Sequence, residues 1–139
     1  MESVEELVGV PFVDGGRDFR TGLDCWGLVR EAYKRVNRAE LPDFKICAFH
    51  SAIINLQIND QASLRNVWQK IEKPERGCLV LIKNHPRFIN HIGLCVDEQH
   101  FIHTLKKLNA VIEPLNHPLW KRRTRGFFRY NGTSQADSS

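Results

Sequence analysis

The sequence predicts an α+β domain in which one amphipathic helix packs on an antiparallel sheet. In the amino-terminal half, apolar residues recur at steps of three and four from Cys25 to Val36, which indicates one buried helix face. In the carboxyl-terminal half, the apolar residues form short runs separated by polar turns, which is typical of strands. Helical patterns followed by strand patterns favour helices packed on one face of a sheet.

The size and composition indicate one globular domain. A chain of 139 residues with 42% hydrophobic content can enclose one ordinary core. We predict a single domain over 1–130, followed by a disordered polar tail over 131–139. The amino terminus is acidic where a secretory signal would be basic, and no apolar run approaches the length of a membrane span. We therefore expect synthesis in the cytoplasm without a signal peptide.

The first predicted elements are a short helix and a loop. The helix extends from Ser3 to about Val8, because Ser3 and Glu6 have the spacing of a capping box. The segment 11–23 contains three glycines and few apolar residues, which predicts a loop that approaches another backbone closely.

The amphipathic helix begins at Cys25, with Asp24 in the N-cap position, and ends near Asn37. The segment 44–58 is ambiguous. A second helical pattern follows, formed by Leu64, Val67, Trp68 and Ile71. The antiparallel strands are then predicted at 78–82, 92–96, 101–105, 110–112 and 126–130.

The thiol of Cys25 is the candidate nucleophile. The first turn of a helix has free backbone N–H groups and a positive dipole end, so we expect the thiolate to be stabilised there. The same amides could donate to a developing oxyanion. Asp24 opposes thiolate formation unless its carboxylate turns toward the helix amides or another donor. From its position alone, Cys25 could equally be a small buried hydrophobe at a helix start.

His91 is the candidate base, and His103 is the candidate residue that orients it. His91 opens a predicted strand and shares a face with Gly93 and Cys95, whose small size is expected to leave room for the helix of Cys25. His103, on the next strand, could fix the tautomer of His91. Alone, each histidine is more often a surface or core residue. A metal site formed by the cysteine and both histidines is an alternative that no paired-ligand spacing supports.

The other cysteines are interpreted as structural thiols and the other histidines as surface residues; they are Cys47, Cys78 and Cys95, and His50, His85, His100 and His117. A basic stretch near the carboxyl terminus is interpreted as a solvated surface, with an anionic partner as the alternative and nucleic acid the least favoured one. Its members are Lys121, Arg122, Arg123, Arg125 and Arg129.

Five short motifs together resemble the NlpC-type family of papain-like cysteine peptidases. They are Gly22-Leu-Asp-Cys25-Trp-Gly-Leu-Val29, Leu41-Pro42, Gly77-Cys-Leu-Val80, His91-Ile-Gly-Leu94 and Phe101-Ile-His103, in the order and spacing of that family. The resemblance covers about residues 9 to 130. It implies a papain-like α+β fold in which Cys25 attacks a carbonyl, His91 exchanges the proton and His103 orients His91. It further implies cofactor-free and metal-free endopeptidase chemistry on peptidoglycan stem peptides.

The Asp24-Cys-Trp-Gly27 form is similar to the bacteriophage and prophage tail-assembly branch, which implies phage tail proteins as partners and a virion- or tail-associated location. The positions that the resemblance links to substrate are Asp24, Trp26 and Phe12. Phe12 replaces a tyrosine and Trp26 a serine found in many members, so the family's specificity is not carried over. Cys78 replaces the aspartate of a Gly-Asp-Leu turn, which predicts an altered hydrogen bond ahead of the strand.

Two other functions are left open by the sequence. The departures at Phe12 and Trp26 are compatible with a tail-assembly or interaction protein that keeps the fold with little activity. An amidase or acyltransferase could use the same scaffold, because a thiol acyl-enzyme can react with different acceptors.

Overall fold

The computed structural model describes residues 3–41, 68–87, 89, 91–106 and 108–130. In it the amphipathic pattern forms the helix α1 (Cys25–Asn37), with Asp24 as its N-cap. The predicted apolar face is buried, including Leu28, Val29, Ala32 and Val36. The helix ends at Arg38, whose left-handed backbone (φ 57°) lets its N–H reach the carbonyl of Lys34.

The carboxyl-terminal runs form one antiparallel sheet of six strands. The strands are β3 (Trp68–Ile71), β4 (Leu79–Ile82), β5 (His91–Cys95), β6 (His100–Leu105), β7 (Leu108–Pro114) and β8 (Thr124–Tyr130). Their order in the sheet is β3-β8-β4-β5-β6-β7. The predicted antiparallel strands are therefore confirmed, and β4 to β7 pair in the order of the chain. The last strand departs from it, because β8 lies between β3 and β4 and pairs antiparallel with both.

Both faces of the central sheet are covered. On one face, Leu79, Ile92 and Leu94 belong to the main core with the apolar side of α1. On the opposite face, a second cluster includes Phe101 and Trp120. Trp120 lies on a short helix, α2 (Pro118–Arg123), which was not predicted from the sequence. Burial on both sides explains why the residues of β4 and β5 are all buried.

The direction of α1 follows from contacts at its carboxyl end. Asn37 Nδ2 donates to the carbonyl oxygen of Gly77 at 3.1 Å, and the Gly77 N–H donates to the Cys95 carbonyl oxygen at 2.8 Å. The last residue of α1 thus lies where β4 begins and β5 ends. Since α1 packs along β5 and β6, its first residue, Cys25, points toward the other end of the sheet, where β5 begins with His91.

Three local predictions are corrected by the structure. The first helix is a single 3₁₀ turn, Val4–Leu7, and the predicted capping box does not form, since the Ser3 side chain makes no capping bond. Burial of Val4 and Leu7 against the core holds this turn in place instead. The loop 11–23 contains a short hairpin of β1 (Arg17–Asp18) and β2 (Gly22–Leu23).

The prediction of a second helix is wrong for the residues that the structure describes, because Trp68–Ile71 forms β3 and pairs with β8. Tertiary pairing outweighs the helical spacing of these residues. Leu64 and Val67, the segment 44–58 and the tail 131–139 lie outside the described residues. None of the helices in the described ranges has the length and apolar character required to cross a membrane.

Candidate active site

The first turn of α1 is fixed by the carboxylate of Asp24. Asp24 Oδ1 accepts hydrogen bonds from the Gly27 N–H and from Arg17 Nη1, both at 2.7 Å. The carboxylate is therefore turned toward the helix amides and also forms an ion pair with Arg17. Arg17 was not predicted as part of the site, because it lies in the segment 11–23, for which the sequence predicts a loop.

Gly27 allows this loop to pack directly on the helix. A Cβ atom at position 27 would lie 2.2 Å from the Gly16 carbonyl oxygen, a distance that no side chain tolerates. The Arg17 Nη1 also donates to that carbonyl oxygen, at 2.8 Å. The missing side chain of Gly27 therefore permits a close backbone approach of the loop beside Cys25.

Cys25 is a neutral thiol in the free protein. Burial and the adjacent Asp24 charge raise the pKa of Cys25 to about 12, although the backbone amides of Trp26 and Cys25 and the Arg17 charge act in the opposite direction. The prediction that the helix start stabilises the thiolate is thus wrong for the free protein. The cost of burying the negative charge outweighs the hydrogen bonds from the helix amides. A base has to remove the proton when the thiol reacts.

His91 and His103 form a buried hydrogen-bonded pair. His91 Nε2 lies 2.9 Å from His103 Nδ1, and the two rings meet edge to face. His91 is 1% exposed and His103 is fully buried. Burial, followed by the neighbouring His103, lowers the pKa of His91 to about 3. Burial also lowers the pKa of His103, although Glu113 acts to raise it. Both rings are therefore neutral near pH 7.

Glu113 continues this pair into a chain. His103 Nε2 lies 2.6 Å from Glu113 Oε2. Burial acts to raise the pKa of Glu113, but hydrogen bonds from His103 and from the indole N–H of Trp120 outweigh it and keep the pKa below its ordinary value. Glu113 is therefore a carboxylate that accepts from both partners. Trp120 also packs edge to face against His103, with ring centroids 4.8 Å apart.

The carboxylate determines which nitrogen of each imidazole carries the proton. A carboxylate only accepts, so neutral His103 has its proton on Nε2 and an acceptor lone pair on Nδ1. His91 then donates its Nε2–H to His103 Nδ1, which leaves a lone pair on His91 Nδ1. The chain thus prepares His91 Nδ1 as a proton acceptor.

The face of β5 that meets α1 differs from the expectation. Gly93 and Cys95 do not leave room for α1, because α1 packs over Ile92 and Leu94 on the other face. A Cβ atom at Gly93 would instead lie 2.9 Å from the Phe101 ring and 3.3 Å from the Cβ of His103. The missing side chain at Gly93 therefore makes room for Phe101 and His103.

The structure brings His91, His103 and Glu113 together, and it places the start of α1 at the same end of the sheet. The hydrogen bonds among the described residues include none between the Cys25 thiol and either imidazole. A direct contact between the thiol and His91 remains a prediction. Glu113 was missed because the predicted strand ended at Ile112; the register that places Glu113 opposite Phe101 cannot be read from the sequence.

The three positions linked to substrate have different surroundings. Trp26 is 2% exposed and belongs to the main core, so its indole offers no surface to a substrate in this conformation. The Asp24 carboxylate is engaged by Gly27 and Arg17, as described above. Phe12 is half-buried, and its backbone forms a bridge with Leu23 in the loop before α1. Of the three side chains, Phe12 retains accessible surface.

The described cysteines other than Cys25 are buried free thiols, Cys78 and Cys95. At the altered turn, Cys78 Sγ accepts from the Glu75 N–H at 3.5 Å, so a sulfur takes the acceptor position ahead of β4. Cys47 and His50 lie outside the described residues. In the part of the chain that the structure describes, no group of three or more metal-ligating side chains is arranged around a common point.

The remaining described histidines make local bonds. His100 Nδ1 contacts Asp97 Oδ1 at 3.0 Å. His117 caps α2, accepting from the Leu119 N–H, and His85 accepts from the Arg87 N–H.

Comparison with known proteins gives consistent likenesses. A family model described as the NlpC/P60 family matches residues 9–129. The chain is 26% identical over 132 residues to a gamma-DL-glutamyl hydrolase of Bacillus subtilis, covering 94% of this chain and 29% of the relative. It is 28% identical over 130 residues to the murein DD-endopeptidase MepH of Escherichia coli, covering 91% of this chain and 43% of the relative. The chain therefore spans less than half the length of these relatives.

Solved structures show the same architecture. An NLP/P60 family protein of Staphylococcus aureus matches with a TM-score of 0.60 at 20% identity, over 91% of this chain and 38% of that one. NlpC2 from Trichomonas vaginalis matches with a TM-score of 0.63 at 19% identity, over 91% of this chain and 44% of that one. These likenesses confirm the predicted α+β papain-like fold.

Proposed function

This chain belongs to the NlpC/P60 family, and we propose that it is a cysteine endopeptidase that hydrolyses peptide bonds of bacterial peptidoglycan stem peptides. The observation that carries the proposal is the hydrogen-bonded chain from buried His91 through buried His103 to half-buried Glu113, at the end of the sheet where the helix of Cys25 begins. A surface histidine would not need two successive partners that fix its tautomer.

The proposed first step is attack by Cys25. His91 Nδ1 accepts the proton of the thiol as Sγ bonds to the substrate carbonyl carbon, and the carbonyl oxygen takes the displaced electron pair. The backbone N–H of Cys25, at the first helical position, donates to this oxyanion. Because the thiol is neutral in the free protein, it loses its proton as it attacks the carbonyl carbon. The resting enzyme therefore carries a thiol and not a thiolate at Cys25.

The second step releases the amine, and the third releases the acid. The C–N bond breaks, the leaving nitrogen takes the proton from His91, and an acyl-enzyme remains on Sγ. Water then gives its proton to His91 Nδ1 and attacks the thioester, and the thiol leaves with that proton. Throughout, His103 holds the ring of His91, and the negative Glu113 offsets the positive charge that develops on the imidazole chain.

The names of the relatives support the substrate class. One is named a murein endopeptidase and another a gamma-glutamyl hydrolase. Both names describe hydrolysis of amide bonds. The family resemblance of the Asp-Cys-Trp-Gly motif further supports a role in a phage or prophage tail, with tail proteins as partners. Detection of this protein in purified particles from an induced lysogen tests that role, and its absence from the particles contradicts it.

Hydrolysis is tested by incubating the purified protein and its Cys25→Ala variant with defined muropeptides and following the products by mass spectrometry. The wild type is expected to give new amine and carboxyl ends, and Cys25→Ala none. Matching thermal unfolding curves exclude misfolding of the variant. Equal fragments from both proteins contradict the proposal.

A second candidate is an interaction protein that keeps this fold with little hydrolytic activity. The neutral Cys25, whose thiol has no hydrogen bond to either imidazole among the described residues, favours it. In that case neither the wild type nor Cys25→Ala cleaves any muropeptide, although tail proteins still bind.

A further inference from the structure

A cleft of about 320 Å³ opens beside the connection from β4 to β5. Its lining consists of Lys83, Asn84, His85, Pro86, Arg123 and Arg125. Ligand pockets usually begin at roughly 300 Å³, so the cleft is large enough for part of a peptide.

The lining carries three permanent positive charges and no carboxylate. Among the described residues, no ion pair involves Lys83, Arg123 or Arg125. Arg129, from the same basic stretch of sequence, instead forms an ion pair with Glu75 at 2.7 Å. The basic stretch is therefore divided by the fold. Part of it is neutralised, and another part joins Lys83 in a concave surface, where charges of one sign reinforce one another.

Hydrogen bonds hold the two guanidinium groups and the backbone of Lys83 in this lining. Arg123 Nη1 donates to Asn84 Oδ1 at 2.6 Å, and the Lys83 N–H donates to the Arg123 carbonyl oxygen at 2.8 Å. Arg125 Nη1 donates to the Arg122 carbonyl oxygen at 2.7 Å, at the end of α2. A guanidinium has five N–H donors in a planar fork, so these bonds orient it and leave donors for a ligand.

The cleft lies at the catalytic end of the sheet. Ile82 pairs with His91 of β5 on one side and with Thr124 of β8 on the other. Lys83 follows Ile82 directly, and Arg123 and Arg125 flank Thr124. A peptide whose scissile bond lies beside His91 therefore has its neighbouring groups within reach of these cations.

We propose that this cleft binds a free carboxylate of the substrate peptide and so selects acidic peptides over their amidated forms. The proposal rests on the proposed hydrolase function, and it names the substrate group, a free carboxylate, that the site recognises. Arg123 supplies a fork suited to two carboxylate oxygens, and Lys83 adds a point charge. A glutamyl residue linked through its side chain keeps its α-carboxylate free, which is the kind of group that fits.

Binding to the Cys25→Ala protein tests the proposal without catalysis. The probe is the stem peptide L-Ala-γ-D-Glu-diaminopimelate, compared by calorimetry with the same peptide carrying carboxamides. Arg123→Gln and Lys83→Gln, each added to Cys25→Ala, are expected to weaken binding of the acidic peptide about tenfold. Binding of the amidated peptide is expected to change little. Lys121→Gln is the matched control, since Lys121 is exposed on the same helix outside the lining.

Two results overturn the proposal. One is equal affinity of Cys25→Ala for the acidic and amidated peptides. The other is an equal loss from Lys121→Gln, which indicates diffuse surface charge. Thermal unfolding of each variant shows that the fold is kept. Arg123→Gln also removes the hydrogen bond to Asn84, whereas Lys83→Gln removes a charge and leaves that bond in place.

The two proposals fail separately. Charge-dependent binding by a protein whose wild type leaves both peptides uncut supports the cleft and contradicts the hydrolase. Cleavage of both peptides at equal kcat/KM, unchanged by Arg123→Gln, supports the hydrolase and contradicts the cleft.

Discussion

The imidazole rings of His91 and His103 are joined by a 2.9 Å hydrogen bond, and both rings are buried. This relationship depends on a carboxylate from a third strand, because Glu113 determines the protonated nitrogen of His103. The proposed base, His91 on β5, is thus oriented by residues on β6 and β7.

Replacing Glu113 is expected to reduce kcat by about 10- to 100-fold, the usual cost of losing an orienting partner. KM is expected to remain nearly unchanged. Because Glu113 acts to raise the pKa of His103, Glu113→Gln also moves the acidic limb of the kcat/KM profile to lower pH. Glu113→Asp keeps the charge and recovers part of the rate. A profile that does not shift, with KM and kcat changing together, would indicate a merely structural role.

Buried His91 predicts acid-sensitive stability. Its pKa is about 3 in the fold against an ordinary 6.5, so the unfolded chain binds the extra proton between these values. The free energy of unfolding is therefore highest above pH 6.5 and falls by up to about 1.4 kcal/mol per pH unit as the pH decreases toward 3. Urea unfolding at several pH values measures this slope. His91→Gln is expected to flatten it, and an unchanged slope in His91→Gln would contradict this assignment.

The high pKa of Cys25 predicts slow alkylation at neutral pH. The rate of reaction with iodoacetamide follows the thiolate fraction, so it should keep rising with pH toward about 12. Mass spectrometry locates the modified residue, and Cys25→Ala gives the background from the buried thiols. A rate that is already constant at pH 7 would mean that the thiolate forms in the free protein.

Gly27→Ala is expected to destabilise the protein by about 1–3 kcal/mol, since the new methyl group overlaps the Gly16 carbonyl oxygen. Displacement of this loop also disturbs Arg17 and Asp24, so activity should fall with stability. Lys34→Ala, at an exposed position of the same helix, is the control and should change stability by less than about 0.5 kcal/mol. Equal unfolding midpoints for both variants would show that the loop can move aside without cost.

The features predictable from sequence were those encoded by neighbouring residues. The Asp24 cap and the periodicity from Cys25 specify α1 locally, and alternating apolar residues specify β5 and β6. Glu113 and β3 depend on pairing between distant segments, which single-strand patterns do not specify. The sequence contains only a weak signal for α2, which is a proline, Pro118, at the first helical position after the N-cap His117.

The pKa of Cys25 was mispredicted for a related reason. The helix start is visible in the sequence, but the burial that outweighs it arises from the packing of the whole domain. Likewise, the face of β5 that meets α1 could not be chosen by residue size. Gly93 is small because Phe101 and His103, from the next strand, occupy its space.

The insertion of β8 between β3 and β4 also orders the assembly of the site. Cys25, His91 and His103 precede Trp120, which donates to Glu113, and Arg123, which lines the basic cleft. Pairing of Trp68 with Tyr130 closes a long loop, and such non-local pairing is slow relative to helix formation. A chain that has emerged only as far as β7 would contain the thiol and both imidazoles without these supports. The candidate thiol and imidazoles are therefore synthesised early, and we expect the complete site to form only when β8 has paired with the sheet.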